Sequence, residues 1–299
     1  MSTLYTQQDR NIRRTWFLMG AFLALVIAIG YAASWYLGNP VIVYIAVGFA
    51  LFMNLYSYWY SDKMVIRMTG AKEIQKSDNP DLWNMVENLS ITAGLPMPKV
   101  YIVNDPAPNA FATGRNPEHA AVAATTGLLQ ILDKNELEGV MAHEMAHVGN
   151  RDILVMTVAV VLAGFIAILA DFFMRALWFG GDNRDRHPIM LVIAIVGIIL
   201  APIAAQLIQM AVSRKREYLA DATGALLTRY PEGLASALEK ISGYTGPMKS
   251  ASHATAHLFI DDPFDTPHQK AGLLKSIGGL FATHPPVHTR IAKLRDMNI

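Results

Sequence analysis

From Thr15 to Ser61 the chain carries no Asp, Glu, Lys, Arg or His. A spanning helix takes roughly 20 apolar residues, so a run of this length predicts two spans. Gly38-Asn39-Pro40 inside it marks the turn between them. Ile153 to Ala170 and Pro188 to Ser213 are equally free of ionisable side chains and predict one span each. Charged residues make up 16% of the chain, below the usual share of about 25%, and the deficit is concentrated in these runs. Arg10, Arg13 and Arg14 precede the first run as they would in a signal peptide. The run is too long for one, however, and ends at no small-residue cleavage site, so it reads as a retained span.

The expected organisation has four parts. Residues 1–61 form a membrane hairpin with spans at about 15–37 and 41–60; residues 62–152 form a soluble segment; residues 153–212 form a second hairpin with spans at about 153–174 and 188–212; residues 213–299 form a second soluble segment. Lys63, Arg67 and Lys72 follow the second span, whereas the turn at Gly38 has no positive charge. The positive-inside rule then places both termini and both soluble segments in the cytoplasm. The fold class is an α-helical integral membrane protein with four transmembrane helices and a mainly helical cytoplasmic domain carrying a small β-sheet. DLWNMVENLSITAGL carries apolar residues at helical spacing with Gly94 as a stop, KVYIVN and HAAVAATTGLL read as strands, and DKNELEGVMAHEMAHVGN reads as a helix capped by Asp133 or Asn135. The absence of Cys excludes disulfides and thiolate metal sites. A net charge of +1 with no basic stripe excludes a nucleic-acid partner.

His143 and His147 lie four apart on the last of these helices, so both imidazoles share one face. Glu144 flanks that face, where it can hold a metal-activated water as general base. A catalytic zinc takes three protein ligands and keeps a fourth position open. Glu217 and Asp221 offer the rest: Glu217 as third ligand, and Asp221 as acceptor for a ligand histidine's other N–H. Taken alone, this pair reads equally as a solvated i, i+4 pair among basic residues. Position favours the ligand reading: His147 stands just before the third span and Glu217 just after the fourth, so a hairpin of those spans delivers both to one membrane face. Asn109, Ala110, Phe111 and Ala112 lie between the two expected strands and read as an open sheet edge for a peptide substrate, or as a plain hairpin strand. His253 and His257 repeat the four-residue spacing without a glutamate and read as a polar segment; His119, His187 and His268 read as surface residues.

HEMAH at 143–147, EYLAD at 217–221, NAFATG at 109–114 and THPPVHTRI at 283–291, with two pairs of spans, together resemble the HtpX group of bacterial membrane zinc metalloproteases, relatives of the CAAX prenyl proteases. The resemblance covers nearly the whole chain. It implies a gluzincin-like, multi-pass inner-membrane zinc endopeptidase with a cytoplasmic site and one Zn2+ per chain. It further implies misfolded or damaged membrane proteins as substrates, in quality control and the stress response. A protease of broad specificity is hazardous unregulated, and one self-cleavage in an exposed loop is expected of it. It assigns His143, His147 and Glu217 to zinc, Glu144 to base catalysis, Asp221 to support of a zinc histidine, and Asn109 and Ala110 to substrate alignment. His284 and Arg290 match an element in which the histidine stabilises the oxyanion and the arginine orients it. Three other classes compete. A channel would place ionisable groups inside the spans, and the uncharged runs hold none. A catalytically dead scaffold has no use for Glu144, and an esterase has none for a peptide-pairing edge.

Overall fold

A computed structural model describes residues 4–179, 214–246, 248–250, 258–260 and 285–297. The chain opens with two long helices, α1 (Leu4–Leu37) and α2 (Val41–Thr69), packed as a hairpin. Both are long and apolar enough to cross a membrane, over Gln8–Tyr36 and Val41–Thr69. Their outer faces carry bare apolar side chains such as Trp35, 80% exposed, and Tyr44, 76% exposed, as lipid contact requires. Where they touch, small and polar residues take over. A Cβ added at Gly30 would collide with the Cβ of Ala46. Asn54 Nδ2 donates to Met19 O at 3.1 Å in the buried seam.

Each helix outruns the span expected from the uncharged stretch. The first turns of α1 carry Asn11 and Thr15, both buried. The last turns of α2 carry Asp62, Lys63 and Arg67 and end at Gly70, which caps them in the left-handed region at φ 66°.

Beyond α2 come β1 (Lys72–Glu73), α3 (Pro80–Ala93), β2 (Lys99–Val103), β3 (Ala110–Gly114), β4 (Ala120–Thr125) and α4 (Thr126–Ile131). Asn79 caps α3 through Leu82 N, and Gly94 stops it at φ 65°. The expected second strand is therefore shorter than its sequence suggested. Thr125 accepts from Leu128 N and starts a helix, so 126–129 leave the sheet. The sheet runs β1-β2-β4-β3, with β2 parallel to β4 and the other neighbours antiparallel. Its small side chains alternate between two buried faces. Val100, Ala110, Ala112, Val122 and Ala124 face a core shared with α3 and α5 (Lys134–Gly149). Tyr101, Phe111, Ala121 and Ala123 face α1, α2 and the start of α6 (Asp152–Phe179).

The helix α6 covers the expected third span, and its first half is enclosed rather than lipid-facing: Ile153, Val155, Val158 and Leu162 are fully buried. The fourth expected span, 188–212, lies outside the described residues, as do His187, His253, His257, His268 and His284. The described residues after 213 contribute α7 (Arg214–Thr228), α8 (Pro231–Ser242) and α9 (Val287–Arg295). Arg295 anchors α9 to α8 through Glu232 and Glu239, both at 2.9 Å.

Candidate active site

The helix α5 starts with a reciprocal cap. Asp133 Oδ1 accepts from Glu136 N at 3.0 Å, and Glu136 Oε2 accepts from Asp133 N at 2.8 Å. Of the two expected caps, Asp133 is the one used. The far end of α5 sets up the chemistry. Arg151 takes φ 55°, a left-handed conformation uncommon for a side chain that is not glycine, and α6 leaves at 84° to α5. That corner turns the Asp152 carboxylate back onto the imidazole of His147.

His143 and His147 meet edge to face, with ring centroids 4.7 Å apart and Nε2 atoms 3.1 Å apart. Glu217 on α7 closes the cluster: its Oε2 lies 3.8 Å from His143 Nε2 and its Oε1 3.6 Å from His147 Nε2. One donor atom from each of the three residues falls within 4.8 Å of the others. Ligands about 2.0–2.1 Å from a tetrahedral ion sit roughly 3.3 Å apart, so these distances fit a single divalent ion. A donor set of two imidazoles and a carboxylate suits zinc. All three side chains are buried. Glu144, 2% exposed, sits beside them, and its charge reaches His147.

The helix α7 approaches this closely because of Gly224. A Cβ there would lie 2.9 Å from His143 N and 3.1 Å from His143 Cα.

A carboxylate lies behind each ring. His147 Nδ1 donates to Asp152 Oδ2 at 3.1 Å. Asp152 Oδ1 accepts from Asn11 Nδ2 at 2.7 Å, and Asn11 also donates to Asn150 O at 3.1 Å. The first helix of the chain therefore reaches the metal helix, where Gln8 Nε2 adds a bond to Gly149 O at 2.7 Å. His143 Nδ1 lies 3.0 Å from Asp221 Oδ1, off the line of a hydrogen bond. Arg290 grips Asp221 with two bonds, Nη2 to Oδ1 at 2.7 Å and Nε to Oδ2 at 2.9 Å, and donates to Ile260 O at 3.1 Å.

The two rings differ electrostatically. Burial pushes His143 below its usual range, despite the nearby Asp221. Burial acts the same way on His147, but Asp152, Glu217 and Glu144 outweigh it and push its pKa up to about 9. Burial alone would raise Asp221; the Arg290 guanidinium, with His143, holds it below the usual carboxylate range instead.

The structure brings together His143, His147, Glu144, Glu217, Asp221 and Arg290. Asn109, Ala110, Phe111 and Ala112 lie on or beside β3, the terminal strand of the sheet, but the expected openness of that edge is corrected: all four are buried. Residues 258–260 cover it. Ile260 N donates to Ala110 O at 3.1 Å, and Phe259 packs edge-on to Phe111 at 5.3 Å. Sequence reasoning missed Asp152 and Asn11. An acid opening a charge-free run, five residues after a ligand histidine, was the available signal for Asp152. Asn11 had none.

The model of peptidase family M48 matches residues 76–298. The Protease HtpX homolog of Caldanaerobacter subterraneus is 45% identical over 99% of both chains. That of Tropheryma whipplei strain Twist is 48% identical over 98% of both, and that of Pyrococcus furiosus 48% over 95% of both. The crystal structure of S. mikatae Ste24p shares the fold, with a TM-score of 0.53 at 17% identity, covering 98% of this chain and 67% of that one. With two membrane-length helices and a buried His-His-Glu cluster in one chain, this protein belongs to peptidase family M48, in its HtpX group, and is a metallopeptidase.

Proposed function

We propose that the chain is a zinc-dependent endopeptidase, embedded by four spans in the inner membrane, that cleaves unfolded or damaged membrane proteins on the cytoplasmic side. His143, His147 and Glu217 hold the ion, Glu144 is the base, and Asp221 and Arg290 support His143. The observation that carries this is the cluster of donor atoms brought together from α5 and α7: two Nε2 atoms 3.1 Å apart, with the two oxygens of Glu217 at 3.6 and 3.8 Å from them. The four-part organisation at 1–61, 62–152, 153–212 and 213–299 is part of the same reading, supported by the α1–α2 hairpin and the start of α6.

When bound, the zinc supplies Lewis acidity to a substrate carbonyl and to a water. The residues do the remainder. Glu144 takes the water's proton and returns it to the leaving amine. Asp152 and Asp221 keep the ligand nitrogens of both rings aimed at one point. The backbone of β3, beside Asn109, Ala110, Phe111 and Ala112, aligns the substrate as an added strand; at Ala110 O the substrate takes the place now held by the Ile260 N–H. His284, implied by resemblance, helps to hold the oxyanion. An edge that reads backbone suits broad specificity, a role in quality control and stress, and one self-cleavage in an exposed loop.

The test is digestion of an unfolded protein, and of the chain itself, by wild type and Glu144→Gln in detergent with zinc. Loss of both cleavages with zinc retained supports the assignment, and activity in the variant ends it.

A further inference from the structure

A cavity of about 640 Å³, lined by none of the metal-cluster residues, lies where the last turns of α2 meet the sheet. Its wall from α2 carries Asp62, Lys63 and Arg67; Lys99, Tyr101 and Glu118 close it from the sheet and the β3–β4 connection. The volume is that of a small-molecule site. Its place is unusual. One turn before Lys63, α2 presents Trp59, 50% exposed, and Tyr60, 47% exposed, the aromatic pair that marks a membrane interface. The guanidinium of Arg115 stacks over Trp59 at 4.6 Å and donates to Trp59 O at 3.3 Å, fixing the sheet to this level. The cavity therefore opens at headgroup depth.

Its charges are sorted. Lys99 is engaged by Glu73 at 3.0 Å. Lys63 and Arg67, exposed and one helical turn apart, meet no carboxylate among the described residues. Glu118 and Asp62 likewise meet no cation there. With Lys99 engaged, the two cations and two carboxylates that remain around the cavity match a ligand with a phosphate and an ammonium group. A purely anionic headgroup would leave both carboxylates opposed.

We infer that this cavity binds the headgroup of a phosphoethanolamine lipid, with the phosphodiester on Lys63 and Arg67 and the ammonium on Asp62 and Glu118. The inference rests on reading α2 as a membrane span. Native mass spectrometry of the full-length protein in detergent tests it, by titration with phosphatidylethanolamine, phosphatidylglycerol and phosphatidylcholine, and with inorganic phosphate as competitor. Wild type retains phosphatidylethanolamine best. The double variant K63Q/R67Q loses about thirty-fold in its affinity, whereas K293Q, on α9, does not. The double variant D62N/E118Q keeps phosphatidylglycerol and loses roughly tenfold for phosphatidylethanolamine. The charge-keeping K63R/R67K binds as wild type does. Retention independent of headgroup and side chain overturns the site while leaving the membrane span intact. Tighter binding of phosphatidylglycerol, or displacement by millimolar phosphate, also overturns it.

Discussion

Asn11 Nδ2 lies 2.7 Å from one oxygen of Asp152, whose other oxygen lies 3.1 Å from Nδ1 of His147. A residue at the start of α1, a helix of membrane-crossing length, thus acts through one carboxylate on a ring of the candidate metal cluster. Asp152→Asn removes the negative acceptor that orients and polarises His147. Its zinc affinity, read by chelator competition, falls about 10–100-fold. Asn11→Ala leaves the carboxylate in place and costs less. An Asp152→Asn protein that binds zinc like wild type would break this connection.

Metal uptake releases protons. Asp152, Glu217 and Glu144 push the pKa of His147 up to about 9, so the metal-free ring is expected to hold a proton at neutral pH, and only the neutral ring has the lone pair that a metal takes. Titration calorimetry in buffers of different ionisation enthalpy should show net proton release at pH 7. Apparent affinity should rise with pH up to about 9 and then level. Binding with no proton release between pH 7 and 8 would contradict the charge assigned to His147.

Arg290→Ala leaves the Asp221 carboxylate buried without its two strongest hydrogen bonds. Breaking a buried pair from one side costs about 3–5 kcal/mol, so thermal unfolding of the variant begins well below that of wild type. Arg290→Lys rescues little, because a lysine cannot reproduce the two-pronged grip.

Gly224→Ala places a methyl group against the His143 backbone. The expected cost is about 1–3 kcal/mol, with a larger loss in zinc affinity, because α7 must move and take Glu217 with it. A thermal shift together with zinc stoichiometry checks both.

Acid should loosen the α5–α8 contact first at Glu136. Burial raises its pKa, but Lys240 at 2.6 Å, Ser236 and Asp133 N outweigh burial and hold it below the ordinary 4.5. A depressed carboxylate contributes its full stability above its unfolded pKa and loses it as pH falls through the folded value. Glu136→Gln therefore costs about 1 kcal/mol at pH 7, and the gap to wild type closes as pH drops below 4.5. A gap that widens in acid would reverse the sign.

Much of this was legible in the sequence, because the features concerned are local. A charge-free run announces its helices, and the i, i+4 pair His143 and His147 fixes its own geometry once α5 forms. Asp133 and Gly94 act on neighbours within a turn. Glu217 was reachable only through the argument that two spans end at one face. Long-range pairings leave no periodicity to read: Asn11 with Asp152, Arg290 with Asp221, Arg115 with Trp59. Of the two readings of 109–112, open edge or plain hairpin strand, neither anticipated the cover over β3, because residues 258–260 come from a distant part of the chain. Thr126 was read as strand because Thr and Ala suit either state until Thr125 caps Leu128 N.

The central claim is that Glu217 joins the two histidines on one ion, and zinc stoichiometry in purified Glu217→Ala beside wild type tests it most directly. One zinc per chain in wild type, and none held against a competing chelator in the variant, is the predicted result. A variant that keeps a full, tightly bound zinc would contradict it.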